Sequence, residues 1–509
     1  MRAGLARLLW RSLLVAGACA LTLLAWRIYD TERGPALQPW HLHVPHELSE
    51  AELDGSDWTA WLRAEDAVFA EVRKAVSERL PALAGVSINR YQPGSPVYPA
   101  RFAQDWNRSY LLEPQGTPRG VVVLLHGLTD SPYSLRHIAQ RYRELGFLAI
   151  GLRLPGHGSV PAALTDARWQ DWLAATRLAV RTARQQVPTP APLHLVGFSN
   201  GGALAVKYAL DALGDRQLPT ADRLVLISPM IGVTRYARFA GLAGLPALLP
   251  AFSKAAWLSR LPEFNPFKYN SFPVNAARQS WLLTDALQTQ LARLASQHNL
   301  NALPPILSFQ SLVDYTVSTP ALVSGLYRFL PANGSELVIF DLNRASDFGG
   351  LLNPGLDNAL ERLLPAPPRN YKTSVVTNAS ASSTAMVEVS TLALNRTSSE
   401  TPLTLTYPRE LFSLSHVALP FPSSDALYGR EPDSREDFGI HLGSLAARGE
   451  RGVLMVHLDA LMRVASNPFF PYLLRRIETD IPGSPPAAPP KKRSGRGAIA
   501  IVSPPTDGT

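Results

Sequence analysis

Residues 193–202 read Leu193-His194-Leu195-Val196-Gly197-Phe198-Ser199-Asn200-Gly201-Gly202. The run up to Gly197 is short, continuous and apolar, as in a strand buried on both faces. From Gly201 to Leu213 the apolar residues recur at helical spacing. Gly-x-Ser-x-Gly alone occurs by chance in many proteins, but at a strand-to-helix turn it is specific. Such a turn raises the Ser199 hydroxyl from the sheet edge, and Gly197 and Gly201 have no side chains to hold strand and helix apart. The helix dipole behind the serine favours developing negative charge. The bland alternative is a helix-capping serine in a glycine-rich turn.

Outward from that turn the pattern alternates. Residues 121–125, 147–152, 223–227, 305–309 and 336–340 read as strands, and 131–145 and 169–186 as helices. This order predicts an α/β fold, with a mostly parallel sheet and helices on both faces. Two stretches interrupt it. Residues 229–303, with Trp257, Phe264, Phe267, Tyr269 and Phe272 among several prolines, suit a lid over the open end of the sheet. Residues 343–410 are rich in Ser, Thr and Asn, with 374–377 and 387–394 as extra strands.

A serine hydroxyl is a weak nucleophile and needs a base and an anion-stabilising site. Leu124-Leu125-His126-Gly127-Leu128-Thr129-Asp130 follows a strand, and the backbone N–H groups of Leu128 and Asn200 are the candidate oxyanion donors. His126 reads as structural, holding the loop. In this fold class the order is Ser, then acid, then His. Asp314, in Ser311-Leu312-Val313-Asp314-Tyr315, lies just past a strand end, with Asp341 and Asp347 as competitors. His416, on a loop of small polar residues entering an apolar segment, is the candidate base. His441 and His457 compete with it, reading as surface and as helix. Phe198, Trp257 and Phe267 are candidates to line an acyl pocket, or else plain lid core.

Composition excludes other classes. The 509 residues are 46% hydrophobic and 18% charged, as in a globular protein. The net charge of +8 owes part of its excess to the ends, in Arg2, Arg7, Arg11 and Lys491, Lys492, Arg493, Arg496. No basic stripe interleaved with aromatics occupies the middle, which argues against a nucleic-acid partner. Cys19 is the single cysteine, so the chain forms no internal disulfide and no thiolate metal site. With no His-Glu-x-x-His and no dinucleotide fingerprint at a strand–helix turn, neither metal nor cofactor is expected.

Arginines precede an uncharged run at residues 12–26, short of the roughly 20 residues of a membrane span. Leu8, Leu9 and Trp10 extend it, and Arg11 and Arg27 can snorkel. The favoured reading is an uncleaved anchor. The rivals are cleavage at Ala16-Gly17-Ala18 and, poorly, a lipoprotein site at Cys19. Each leaves the body outside the cytoplasm, on the periplasmic or extracellular side.

The motifs together, His126-Gly127-Leu128-Thr129, Leu154-Pro155-Gly156-His157-Gly158-Ser159, Gly197-Phe198-Ser199-Asn200-Gly201 and Asp314, resemble the monoglyceride-lipase, lysophospholipase and serine-aminopeptidase-like branch of the α/β-hydrolases. The likeness covers about residues 105–345 plus the His416 segment. It implies the α/β-hydrolase fold and cleavage of carboxyl esters through an acyl-enzyme on Ser199. The substrates implied are lipid-like or small acyl esters, met at a membrane through the N-terminal segment. A peptidase and a catalytically inactive binding module are the alternatives; a protein partner is not legible. The chain departs from the branch in one respect: positions 314 and 416 lie much farther apart than its acid and base usually do. An insertion before the histidine accounts for the gap. The expected organisation is a signal anchor or peptide (1–29), a helical lead-in (30–104), hydrolase core (105–228), lid (229–303), core (304–342), insertion (343–410), core (411–481) and a disordered tail (482–509).

Overall fold

The computed structural model describes residues 2–81, 88–232, 244–348, 353–356, 358–444, 463, 466–479 and 481. Its main sheet contains β1 (Tyr110–Leu112), β2 (Gly120–Leu125), β3 (Phe147–Leu152), β4 (Leu193–Phe198) and β5 (Arg223–Ile227). After a separate ribbon of β6 (Trp257–Ser259) and β7 (Phe272–Pro273), it continues with β8 (Ile306–Ser311), β9 (Glu336–Phe340), β10 (Lys372–Asn378), β11 (Ala385–Thr391) and β12 (Ser398–Thr406). The order is β1-β3-β2-β4-β5-β8-β9-β10-β11-β12. Neighbours from β3 to β10 run parallel, whereas β1, β11 and β12 pair antiparallel.

The period of two along each strand feeds two cores. Val121, Val123 and Leu125 of β2 pack with the helices Trp169–Gln186, Asn200–Ala212 and Val274–Ser296. Val122 and Leu124 face the other way, into a core with Ile138 and Tyr142 of the helix Arg136–Glu144 and Leu473 and Ile477 of the helix Phe470–Thr479. Each fully buried Leu or Val stabilises this arrangement by about 1.5–3 kcal/mol. Helices therefore cover both faces of a mostly parallel sheet, the α/β arrangement that the alternation predicts.

Two expected segments take unexpected places. The long helix of the 229–303 stretch, Val274–Ser296, belongs to the core layer: Leu283, Leu287 and Leu291 are fully buried there. Its apolar positions recur at helical spacing, but the aromatics before it dominate the pattern. The 343–410 stretch is an extension of the sheet, through β10, β11 and β12. Its exit and return are pinned together, because Asn343 Nδ2 donates to the carbonyls of Pro408 (2.9 Å) and Leu411 (2.7 Å). The chain thus comes back to the end of β9 before it reaches His416, which removes the spatial consequence of the long sequence gap.

The lead-in packs on the hydrolase body, with Leu53 and Trp61 inside the larger core. Ahead of it runs a helix, Arg2–Arg33. Its portion Leu9–Arg33 is long and apolar enough to cross a membrane, and its most apolar stretch is not buried against the body. The foot of that helix is fastened to the body. Arg27 donates to the Trp257 carbonyl at 2.6 Å, and Arg260 donates to the Thr31 carbonyl at 2.7 Å. His457 and the expected tail at 482–509 lie outside the described residues.

Candidate active site

Ser199 occupies the bend between β4 and the helix Asn200–Ala212 with φ 52° and ψ −114°. A non-glycine residue in this region is strained and is kept there only by what surrounds it. Its N–H donates to the Ile227 carbonyl (3.0 Å) and its carbonyl accepts from Met230 (2.9 Å). The glycines make the bend sterically possible. A Cβ at Gly201 would lie 1.9 Å from the Leu125 carbonyl oxygen, and one at Gly197 would lie 2.4 Å from that of Gly201.

Asp314 lies just beyond β8 with its side chain fully shielded, and its Oδ2 accepts from His416 Nδ1 at 2.9 Å. Backbone N–H groups of Thr316 (2.8 Å) and Val317 (3.0 Å) donate to Oδ1, and Gln310 Nε2 donates to Oδ2 (3.1 Å). Burial alone pushes this carboxyl up. The neighbouring His416 and the converging N–H donors outweigh it and hold Asp314 below the usual carboxylate range. His416 itself is buried, at the start of a short 3₁₀ turn, His416–Ala418. Its ring centre lies 5.2 Å from that of Phe198, the residue before Ser199, which sets the imidazole beside the bend. Among the described contacts the Ser199 hydroxyl makes no hydrogen bond to that ring, a separation common before substrate draws the groups together.

The loop after β2 crosses in front of Ser199: a Cβ at Gly127 would be 3.3 Å from the Ser199 Cβ. Thr129 in this loop has φ 62°. The N–H groups of Leu128 and Asn200 have no acceptor among the described residues, whereas those of Ser199, Asp130 and Gly202 are paired. Two free donors beside a raised hydroxyl are what an oxyanion requires.

The remaining candidates separate. Asp341 is tied up by Arg344 (3.0 Å) and Thr377 (2.8 Å), and Asp347 is exposed with Arg409 as its neighbour at 3.8 Å. His441 is exposed and bonded to the Ala426 carbonyl (3.0 Å). Trp257 and Phe267 are each held in a packed aromatic cluster. Trp257 is buried with Trp40, Val72 and Tyr91, its ring 4.7 Å from that of His41. Phe267 is stacked on Tyr133 at 4.2 Å and closed in by Phe438. Both are large apolar surfaces for which intramolecular packing won. An apolar cavity of about 530 Å³ adjoins the acid loop, lined by Leu312, Val313, Val317, Pro320, Leu356 and Leu363. Tyr269 is a supporting residue that the sequence hides. Its N–H donates to the Thr129 carbonyl (2.8 Å) and its hydroxyl to the Gly156 carbonyl (3.1 Å). Both partners are backbone atoms, so no side-chain pattern announces it.

Comparison with known proteins bears on the same region. Residues 116–319 match the family described as serine aminopeptidase, S33. A thermostable monoacylglycerol lipase of Bacillus sp. (strain H-257) is 24% identical over 220 residues, spanning 43% of this chain and 79% of that one. A monoacylglycerol lipase of Mycolicibacterium smegmatis is 33% identical over 119 residues, spanning 23% of this chain and 40% of that one. Among solved structures, a soluble variant of monoglyceride lipase from Saccharomyces cerevisiae with a substrate analog gives a TM-score of 0.37 at 14% identity, covering 46% of this chain and 82% of that one. The family match takes in Leu128, Ser199 and Asp314 and ends before His416.

Proposed function

We propose that this chain, a hydrolase of the α/β-hydrolase fold similar to the monoacylglycerol lipases, cleaves carboxyl esters through an acyl-enzyme on Ser199. Lipid-like or small acyl esters are the substrates. The observation that carries this reading is the shielded hydrogen bond between His416 and Asp314, formed across 102 positions of chain and set beside the strained serine.

In this mechanism Asp314 accepts a hydrogen bond from the Nδ1–H of His416, leaving Nε2 free to take the Ser199 proton. The hydroxyl oxygen attacks the ester carbonyl, and the Leu128 and Asn200 N–H groups receive the oxyanion. Protonated His416 gives its proton to the departing alcohol. Water, activated by the same ring, then releases the acid and restores Ser199. Asp314 stays ionised throughout and stabilises the imidazolium. The helix Leu9–Arg33 supports a place at a bilayer, with the body on the non-cytoplasmic side.

Labelling with a fluorophosphonate tests the chemistry: the wild type is expected to label and Ser199→Ala is not. A folded wild type that fails to label refutes the acyl-enzyme. Rates on p-nitrophenyl esters are expected to rise with acyl length, and a flat profile removes the lipid part. The S33 match favours a second reading, an aminopeptidase. Turnover of aminoacyl p-nitroanilides in preference to esters would select it.

A further inference from the structure

The lead-in, which lies wholly outside the matched family region, reaches the turn that backs the oxyanion loop. Arg153 is the first residue beyond β3 and has no exposed side-chain surface. Glu47 grips its guanidinium from both ends, accepting from Nη1 at 2.7 Å and Nη2 at 2.9 Å, while Glu65 accepts from Nε at 2.9 Å. Nη1 also donates to the His157 carbonyl at 3.0 Å, and Glu47 Oε1 accepts the Gly156 N–H at 3.0 Å. A buried guanidinium without partners would cost several kcal/mol, so the turn at 153–158 depends on these two carboxylates.

The turn in turn holds His126. The Leu154 N–H donates to His126 Nε2 at 3.1 Å. A ring nitrogen that accepts carries no proton, so neutral His126 bears its proton on Nδ1, which donates to the Gly127 carbonyl at 2.9 Å. Burial keeps that ring neutral, with His157 packed edge-on at 5.0 Å. The Gly127 carbonyl and the Leu128 N–H belong to one planar trans peptide and point in opposite directions. Fixing the carbonyl therefore aims the N–H.

We propose that Glu47, assisted by Glu65, is a positioning residue for the Leu128 oxyanion donor, acting through Arg153, the 153–158 turn and His126. This rests on the role given to Ser199 above and assigns the lead-in a part in the same reaction.

The test uses full-length wild type, Glu47→Ala and the isosteric Glu47→Gln, with active sites counted by fluorophosphonate titration. Because small misplacement of a catalytic donor costs on the order of 10²-fold, kcat per titrated site is expected to fall about 10- to 100-fold in Glu47→Ala, with Glu47→Gln between it and wild type. KM on a p-nitrophenyl ester should change little. Inhibition by an alkyl boronic acid, whose adduct puts an oxygen in the oxyanion hole, should weaken in parallel, and inhibition by the fatty-acid product should not. Unchanged kcat per titrated site, with only the titrated fraction lowered, overturns the proposal and leaves a purely structural contact. Failure of both variants to fold overturns it in the same way. A wild type that does not label refutes the Ser199 chemistry itself and is read separately.

Discussion

The proposed chemistry rests on three single side chains, Ser199, Asp314 and His416. Asp314 spends both oxygens on donors: His416, Gln310 and two backbone N–H groups. Replacing it with Asn puts an N–H₂ where a donor now arrives, which favours the wrong histidine tautomer. Asp314→Asn is therefore expected to lower kcat by about 10⁴-fold with the melting temperature little changed. His416→Ala should lose as much. Steady-state turnover close to wild type in either variant would move the role elsewhere, to His441 or His457 for the base. The candidate nucleophile and acid each stand at a strand end in a recognisable local pattern, which is what singles them out in the sequence. His416 was legible only by order and surroundings, since a lone histidine carries no spacing signal. For Trp257 and Phe267 the sequence left a pocket lining and plain core as alternatives, for a different reason. An exposed-looking Trp or Phe in a proline-rich stretch has the same one-dimensional pattern whether it lines a cavity or fills a core.

At the scale of elements, close approach is the controlling quantity. The helix Asn200–Ala212 leans on the end of β2 so tightly that Gly201 has no room for a side chain. Gly201→Ala forces that helix or the strand to move, which typically costs about 1–3 kcal/mol, and it should displace Ser199 as well. The expected outcome is a lower urea midpoint together with lost fluorophosphonate labelling. Gly214→Ala is the control, because its nearest contact would be an ordinary 3.7 Å. Equal behaviour of the two variants would sink the packing explanation. The predicted core strands match closely because strands buried on both faces are written as unbroken apolar runs. β12 escaped notice: Ser398–Thr406 is an exposed edge strand with few apolar residues, and tertiary pairing with β11 supplies what its composition lacks. β1 is only three residues long and pairs antiparallel where Gly151 leaves space for the Tyr110 ring.

For the whole molecule, buried histidines make stability depend on acid. Burial lowers His41 to about 4 and His157 and His194 to about 3, and holds His126 well below its ordinary value. The unfolded chain keeps values near 6.5, so it takes up these protons first as pH drops. Stability from the neutral rings is complete above about pH 6.5 and is lost as pH falls through the interval down to about 3–4, at up to about 1.4 kcal/mol per pH unit for each ring. Melting temperatures should fall steadily from pH 7 to pH 4. His194→Gln, whose amide can still hydrogen-bond the Tyr142 hydroxyl, should show a shallower fall. An identical slope in that variant would exclude His194 from the effect.

Local sequence determined the turn at Ser199, the parallel core strands and the place of the candidate acid, because each is set by neighbours within a few residues: glycines that remove bulk, apolar runs that demand burial, a carboxylate at a strand end. Only the tertiary structure decided that residues 343–412 leave and rejoin the chain at one place, that Glu47 and Glu65 of the lead-in neutralise Arg153, and that Trp257 and Phe267 go to cores. Those outcomes depend on contacts between residues tens to hundreds of positions apart, where burial and charge pairing are settled by which surfaces meet, and a linear pattern holds no record of that.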